Sequence, residues 1–400
     1  MKFYEIKLPY TIHCAIPAAV LIATCLVILA VVILPDRTPP LLPPLVTEDG
    51  DAGSGNVSCN IFKGEWVPDP GAPPRYTPET CPVIHGHYDC MRYGRPDLGF
   101  ARWRWRPAAC ELPRLDAARF LRAARGRSMA FVGDSLARNQ MHSLVCLLAR
   151  AETPSPWTNA TAATTPATSY RFGRHGFTVA SFWSPFLVRA AEAAGPDVPA
   201  GLWSLHLDEP DAGWAARAAA FDYVVLSAGS WFFRPSVFHE RGRLVGCNGC
   251  HAPNAFRTAL RAAAAAAGGG GRHRRRARTV VVRTLSPSHY ENGAWNGGGD
   301  CARTRPVARG GWEMNAVEKE MYAIQAEEFA AAARREAEAE GARMLLLDAT
   351  EAMAMRPDAH PSKYRLWQPD GFNVSRDCLH WCLPGAMDAC NDMLLHMLLR

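Results

Sequence analysis

An uninterrupted run without a charged residue, Cys14 to Leu34, constrains this chain more than any other feature. As a helix, its 21 residues are long enough to cross a hydrocarbon layer of about 30 Å. A cleaved secretory signal would carry a shorter apolar core, of roughly 7 to 15 residues, and a small-residue cleavage site. Here the run ends in Val31-Val32-Ile33-Leu34 and then Pro35, so an uncleaved signal anchor is expected at 14–34. Lys2 and Lys7 oppose Glu5 on the upstream side, while Arg37 stands against Asp36, Glu48, Asp49 and Asp51 downstream. That bias predicts a cytosolic tail at 1–13 and a lumenal remainder.

Cysteine usage agrees with an oxidising compartment. Two of the 13 cysteines lie in the span, Cys14 and Cys25. The rest include Cys59, Cys81, Cys90, Cys110, Cys146, Cys301, Cys378 and Cys382 as disulfide candidates, with Cys247, Cys250 and Cys390 beside them. Eleven is odd, which leaves one thiol over if the others pair. Cys378 and Cys382 bracket His380, so disulfides there would hold its loop rigid and tie it to the 59–110 region. Asn-x-Ser/Thr triplets at Asn56, Asn159 and Asn373 are glycosylation candidates. The net charge of +6 is concentrated in one cluster, Arg272 to Arg278, and gives no reason to expect a nucleic-acid partner.

From Pro35 to residue 57 the chain is Pro-, Gly- and acid-rich and reads as an extended stem. Residues 58–112, dense in Cys, Trp and Tyr, read as a disulfide-tied, loop-rich subdomain. Beyond them, Ser128 to Val132, Phe177 to Phe182, Tyr223 to Ser227, Thr279 to Leu285 and Arg343 to Leu347 are apolar runs of strand length. Helical spacing appears at Ala117 to Ala124, Leu136 to Arg150 and Ala316 to Glu340. This alternation predicts an α/β domain over 113–400, a parallel sheet flanked by helices. Thr153 to Ser169 and Ala262 to Arg278 read as insertions, the second ending in a solvated Arg cluster.

The chemistry begins at Phe131-Val-Gly-Asp-Ser-Leu-Ala-Arg138. Gly133 permits a sharp turn after the strand. Ser135 then opens a helix whose free N–H groups favour negative charge, as an attacking serine and its oxyanion require. Asp377-Cys-Leu-His380 supplies a base, since a carboxylate three residues before an imidazole can fix its tautomer in a turn. Separately, each motif has a bland explanation: a serine that opens a helix as a cap, an aspartate that forms a turn.

Together, Gly133-Asp134-Ser135 and Asp377-x-x-His380 resemble the signature of the plant trichome birefringence-like proteins, polysaccharide O-acetyltransferases with a fold related to SGNH and GDSL esterases. Cys59 to Trp66, Tyr93-Gly-Arg-Pro-Asp97, Trp103-Arg-Trp-Arg106 and Asp377 to Gly385 are similar to that family's blocks. The finer wording at Gly94 to Pro107, Leu244 to Asn248 and Arg283 to His289 is most similar to the branch acting on xyloglucan and mannan. The resemblance implies a type II Golgi membrane protein. It also implies a hemicellulose acceptor, with xyloglucan before mannan and mannan before xylan. The acetyl donor would be a co-substrate, acetyl-CoA or an acetyl group relayed by a membrane protein, with no bound cofactor. Ser135 would be the nucleophile, His380 the base and Asp377 its partner. Oxyanion and supporting groups are expected from Ser135 N–H, Gly133, Asp134, Gly229 on the Ala228-Gly229-Ser230 turn, and Arg138.

Cys247-Asn-Gly-Cys250-His251 lacks a second Cys/His pair at metal-site spacing, so a disulfide or local thiols are expected and no metal. Trp103, Trp105, Trp231, Trp295 and Trp381 are candidates for stacking on sugar rings or for packing. Two other functions share these residues in whole or in part: a lumenal polysaccharide acetyl esterase, in which water attacks the acyl-enzyme, and a non-catalytic polysaccharide-binding protein.

Overall fold

The computed structural model describes residues 59–157, 168–194, 198–199, 201–247, 255–269, 278–366 and 376–399. The span at 14–34, the stem, Asn56, Asn159, Asn373, Cys250 and Arg272 to Arg276 lie outside the described residues. Among the described residues no helix is long and apolar enough to cross a membrane.

The Trp-rich segment contains one regular element, an antiparallel pair of β1 (Gly64–Pro68) and β2 (Trp103–Pro107). Trp66 and Trp105 face each other across it, their rings 5.7 Å apart edge to face. The α/β region starts at α1 (Ala117–Ala123), capped by Asp116, and enters β3 (Ser128–Gly133) and α2 (Ser135–Ala149). Then follow β4 (Ser155–Pro156), β5 (Thr168–Phe172), β6 (Phe177–Trp183), β7 (Val188–Glu192), β8 (Trp203–Pro210), α3 (Ala212–Ala218), β9 (Tyr223–Ser227), β10 (Ser236–Glu240) and β11 (Arg243–Cys247). The chain continues through α4 (Ala255–Gly268), β12 (Thr279–Arg283), α5 (Ala316–Glu338), β13 (Arg343–Leu347), α6 (Thr350–Ala354) and α7 (Ala386–Leu398).

The main sheet has seven strands in the order β13-β12-β9-β3-β6-β5-β4. β13 to β6 run parallel, as expected, but β5 and β4 are antiparallel and close one edge. β3 explains why its sequence shows no alternation. Met129 and Phe131 enter the core beneath α2 and α7, and Ala130 and Val132 enter the opposite core with α4 and α5, so both faces are covered. A second sheet, β11-β10-β8-β7, lies beside this framework, and no sequence signal singled it out.

Two segments read as insertions prove to be partly structural. Thr153 to Ser169 contributes β4 and the start of β5 to the sheet edge. Ala262 to Gly268 belongs to α4, whose Phe256, Ala259, Leu260, Ala263 and Ala267 form a buried stripe at helical spacing. Alanine is small enough to let α4 approach α5 and β8 closely, and a composition reading mistakes that for low complexity. α7 also went unread, although Met387, Cys390, Leu394 and Leu395 follow the same period.

Four disulfides cross the described fold: Cys59–Cys110, Cys81–Cys146, Cys90–Cys382 and Cys301–Cys378. The second and third join the Trp-rich segment to α2 and to the loop after Asp377. Cys90–Cys382 spans 292 residues of sequence, so in the chain-entropy view it removes on the order of 5 kcal/mol of unfolded-state freedom. Cys390 is free and buried, and Cys247 is disulfide-bonded.

Candidate active site

β3, β6 and β9 end side by side, Gly133 being paired with Trp183 on one neighbour and with Ser227 on the other. β9 adjoins β3 opposite β6, so the chain's path reverses at β3, and such a switch point leaves a crevice at the carboxyl ends of the strands. The turn into α2 opens there. A Cβ at residue 133 would lie 1.8 Å from Ser227 O, with φ at 147°, so only glycine fits. Asp134 caps α2: its Oδ1 accepts from Leu136 N at 3.0 Å, and its Oδ2 accepts from Ser230 Oγ at 2.8 Å. The second bond fastens the 228–230 turn to the turn that carries Ser135. Gln325 of α5 holds the same turn from behind, donating to Ala228 O at 3.3 Å and accepting from Leu285 N at 2.6 Å.

Ser135 Oγ lies 2.6 Å from His380 Nε2, and His380 Nδ1 lies 2.8 Å from Asp377 Oδ2. The other Asp377 oxygen accepts the backbone N–H groups of His380 at 3.0 Å and Leu379 at 3.2 Å. Burial alone would raise the Asp377 pKa, but the charge and hydrogen bonds of His380, with Arg365 adding, hold it well below the usual carboxylate range. Asp377 is therefore an anion wherever an imidazole can act as a base.

The loop carrying His380 is fixed from several sides. Cys301–Cys378 and Cys90–Cys382 bracket it. Asn139, one turn after Ser135, accepts from Trp381 N at 2.9 Å and donates to Trp381 O at 3.2 Å. His360 Nδ1 meets His380 O at 2.6 Å, and His360 Nε2 lies 2.7 Å from His289 Nδ1. Burial holds the His289 pKa down at about 4 and that of His360 well below the ordinary range. Tyr88 donates to Ser135 O at 3.0 Å, and burial pushes its hydroxyl up to about 12, so it remains a donor.

Of the residues expected from the sequence, Ser135, His380, Asp377, Gly133 and Asp134 come together at this point, and Gly229 lies on the turn fastened through Ser230. Arg138 extends from α2, its Nε 3.4 Å from Tyr88 Oη and its guanidinium 5.5 Å from the Trp183 ring. Two of the tryptophans considered for sugar stacking are core instead: Trp105 is 3% exposed and Trp381 is fully buried. Asn139, Tyr88 and His360 went unread, because each acts on a residue far away in sequence; the 228–230 turn was expected at the site, but not the bond from Ser230 to Asp134 that holds it there. Among the described residues no group of three or more His, Cys, Asp or Glu could hold a metal ion.

This arrangement has what acyl transfer to and from a serine requires: a nucleophile in contact with a base, a base oriented by an anion, and backbone N–H groups at a helix start. A family model described as a GDSL/SGNH-like acyl-esterase family found in Pmr5 and Cas1p matches residues 112–397. A second, the PMR5 N-terminal domain, matches residues 57–111. The protein trichome birefringence-like 20 of Arabidopsis thaliana is 42% identical over 349 residues, 85% of this chain and 72% of that protein. Trichome birefringence-like 19 of the same plant is 40% identical over 386 residues, 91% of this chain and 86% of that protein. Xyloglucan O-acetyltransferase 3 of Populus trichocarpa is 37% identical over 351 residues, 86% of each chain.

Proposed function

This chain belongs to the GDSL/SGNH-like acyl-esterase family, and on that premise we propose that it is a polysaccharide O-acetyltransferase of the plant cell wall working through an acetyl-serine at residue 135. The observation that carries the reading is the continuous contact from Ser135 Oγ to His380 Nε2 and from His380 Nδ1 to Asp377, at 2.6 and 2.8 Å.

Ser135 Oγ attacks the acetyl carbonyl of the donor while its proton passes to His380 Nε2, and Asp377 stabilises the imidazolium that forms. The Ser135 N–H and donors on the 228–230 turn face the developing oxyanion. Collapse of the tetrahedral adduct breaks the bond to the donor's leaving group, which takes the proton from His380. A sugar hydroxyl then gives its proton to His380 Nε2, its oxygen bonds to the acetyl carbon, and Ser135 Oγ leaves with that proton. The acceptor we assign is a β-1,4-linked hemicellulose, with xyloglucan preferred over mannan and mannan over xylan. The name of the Populus relative, a xyloglucan O-acetyltransferase, supports xyloglucan as the first choice. The same reading places the enzyme in the Golgi membrane, its amino terminus cytosolic and residues 35–400 lumenal, with acetyl-CoA or a relayed acetyl group as donor.

The test is to incubate the full-length enzyme with an acetyl donor and, separately, xyloglucan, glucomannan and xylan oligomers, and to follow mass gain. Acetyl ester on the oligomers and an acetylated Ser135 peptide when acceptor is withheld are expected. An acetyl-serine released only to water, whichever hemicellulose is supplied, would replace this reading with that of an esterase. Protease digestion of the large domain in intact microsomes would overturn the orientation.

A further inference from the structure

Resting on that reading, we infer that the aromatic ledge formed by Trp183, Trp231 and Trp203, flanked by Arg138 and Arg234, is the surface along which the acceptor glycan lies beside Ser135. Trp183 ends β6 and is 43% exposed, while Trp66, Trp105, Trp214 and Trp381 are all buried. Its backbone pairs with Gly133, two residues before the nucleophile, so its position is fixed relative to Ser135 by the sheet itself. Ser184, the next residue, donates its N–H to Gly133 O at 2.9 Å and locks that register.

A row of contacts continues from the catalytic histidine to this ledge. The Tyr88 ring lies 5.5 Å from that of His380, Arg138 Nε reaches Tyr88 Oη, and the Arg138 guanidinium stands 5.5 Å from the Trp183 ring. Trp183 then meets Trp231 at 5.3 Å and 83°, and Trp231 meets Trp203 at 5.6 Å and 82°. Arg234 covers one face of Trp231 at 3.8 Å. The partly exposed Trp231 and Trp203 thus extend the surface that starts at Trp183.

The chemistry of this strip selects its occupant. A pyranose ring is amphipathic, with C–H groups on its faces and hydroxyls round its rim, and an indole offers a broad apolar face at low entropic cost. Guanidinium groups beside the indoles supply fixed N–H donors for the hydroxyls. A contiguous strip of exposed aromatic surface, unlike a lone apolar side chain, marks a place where something binds. A polymer with one hydroxyl at Ser135 must also leave the site across a neighbouring surface, and this one is continuous with the nucleophile turn. A protein partner or the acetyl donor on the same surface would give a different outcome in the test below.

Acetyl transfer by the full-length enzyme is measured with p-nitrophenyl acetate as probe donor and a xyloglucan oligosaccharide as acceptor. Trp183→Ala is expected to raise the acceptor KM about tenfold, the effect of one lost stacking contact, with the loss in KM and not in kcat. Trp183→Phe should recover most of that loss, which a role in folding alone would not require. An acceptor KM within about twofold of the wild type would overturn the ledge, as would an equal loss in the acylation rate with p-nitrophenyl acetate, which would point to the donor. If the wild type transfers acetyl to no oligomer, the functional reading fails, and the ledge is judged by tryptophan fluorescence titration of Ser135→Ala with the same oligosaccharide. Saturable quenching that Trp183→Ala removes keeps the ledge, and its absence in Ser135→Ala overturns it.

Discussion

Ser135 is the first residue of α2, just after β3, whereas His380 stands on residues 376–385, where the only regular pairing among the described residues is the single bridge between Ser362 and Asp377. On the serine side, position is set within a few residues: a glycine that lets β3 pass Ser227, an aspartate that caps the helix, and a strand paired on both edges. On the histidine side almost every restraint comes from elsewhere in the chain: Cys90, Cys301, Asn139 and His360. A catalytic group on a loop can be as well placed as one on a helix, but its restraints are then individually removable. The two halves should therefore fail by different routes.

The largest effects are expected where the halves meet. Ser135→Ala and His380→Ala should each lower transfer on the order of 10³-fold or more, because the members act as a unit. Asp377→Asn should be severe but leave more residual activity, since the imidazole stays while its orienting charge is lost. Rates of acetyl transfer to xyloglucan oligomers measure both, and near-normal transfer by Ser135→Ala would remove the basis for comparing the two halves.

The paired change Cys90→Ser with Cys382→Ser separates the histidine side from the serine side. Loosening the loop by about 1 Å should reduce kcat on the order of 10²-fold, while circular dichroism shows the sheet intact. Equal losses of secondary structure and activity would mean that the bridge supports the whole fold and not the loop.

Asn139→Ala tests the brace between the halves. It leaves the backbone N–H and C=O of buried Trp381 unpaired, at a cost of about 1–3 kcal/mol, and should lower Tm together with kcat. A drop in Tm with kcat unchanged would confine Asn139 to stability.

The smallest effect concerns pH. Burial holds His142, on the buried side of α2, at about 3 and His289, packed against His360 beneath the histidine loop, at about 4. The folded state thus keeps both neutral, while the unfolded chain takes up protons as pH falls through about 6.5. Their contribution to stability is complete above that pH and is lost as pH falls from it to roughly 4 for His289 and 3 for His142. Tm should fall across that window, and His289→Gln should flatten the fall; a Tm independent of pH from 7 to 4.5 would contradict the assignment.

Features under local physical control could be read from the order of residues alone. The Gly-Asp-Ser turn was legible because a glycine, a cap and a serine act within one turn of each other, and Asp377 with His380 because three residues suffice to bring a carboxylate onto an imidazole. β3, β9 and β12 were legible because strands buried on both faces carry a nearly continuous apolar run. The seven-stranded sheet's antiparallel edge was not, since β5 and β4 differ from their neighbours only in direction, and direction leaves no trace in composition. Nor was the pairing of the eight cysteines that form the four described bridges, for which about 105 connectivities are possible. The approach of Ser135 to His380 across 245 residues was expected by analogy, and the resemblance supplied that. Tertiary structure decided how the approach is held: Asn139 against Trp381, His360 against the His380 carbonyl, Ser230 against Asp134. Each of these is an ordinary polar residue whose role exists only once a distant group cut off from water needs it as a partner, a backbone N–H or C=O for Asn139 and His360 and the Asp134 carboxylate for Ser230.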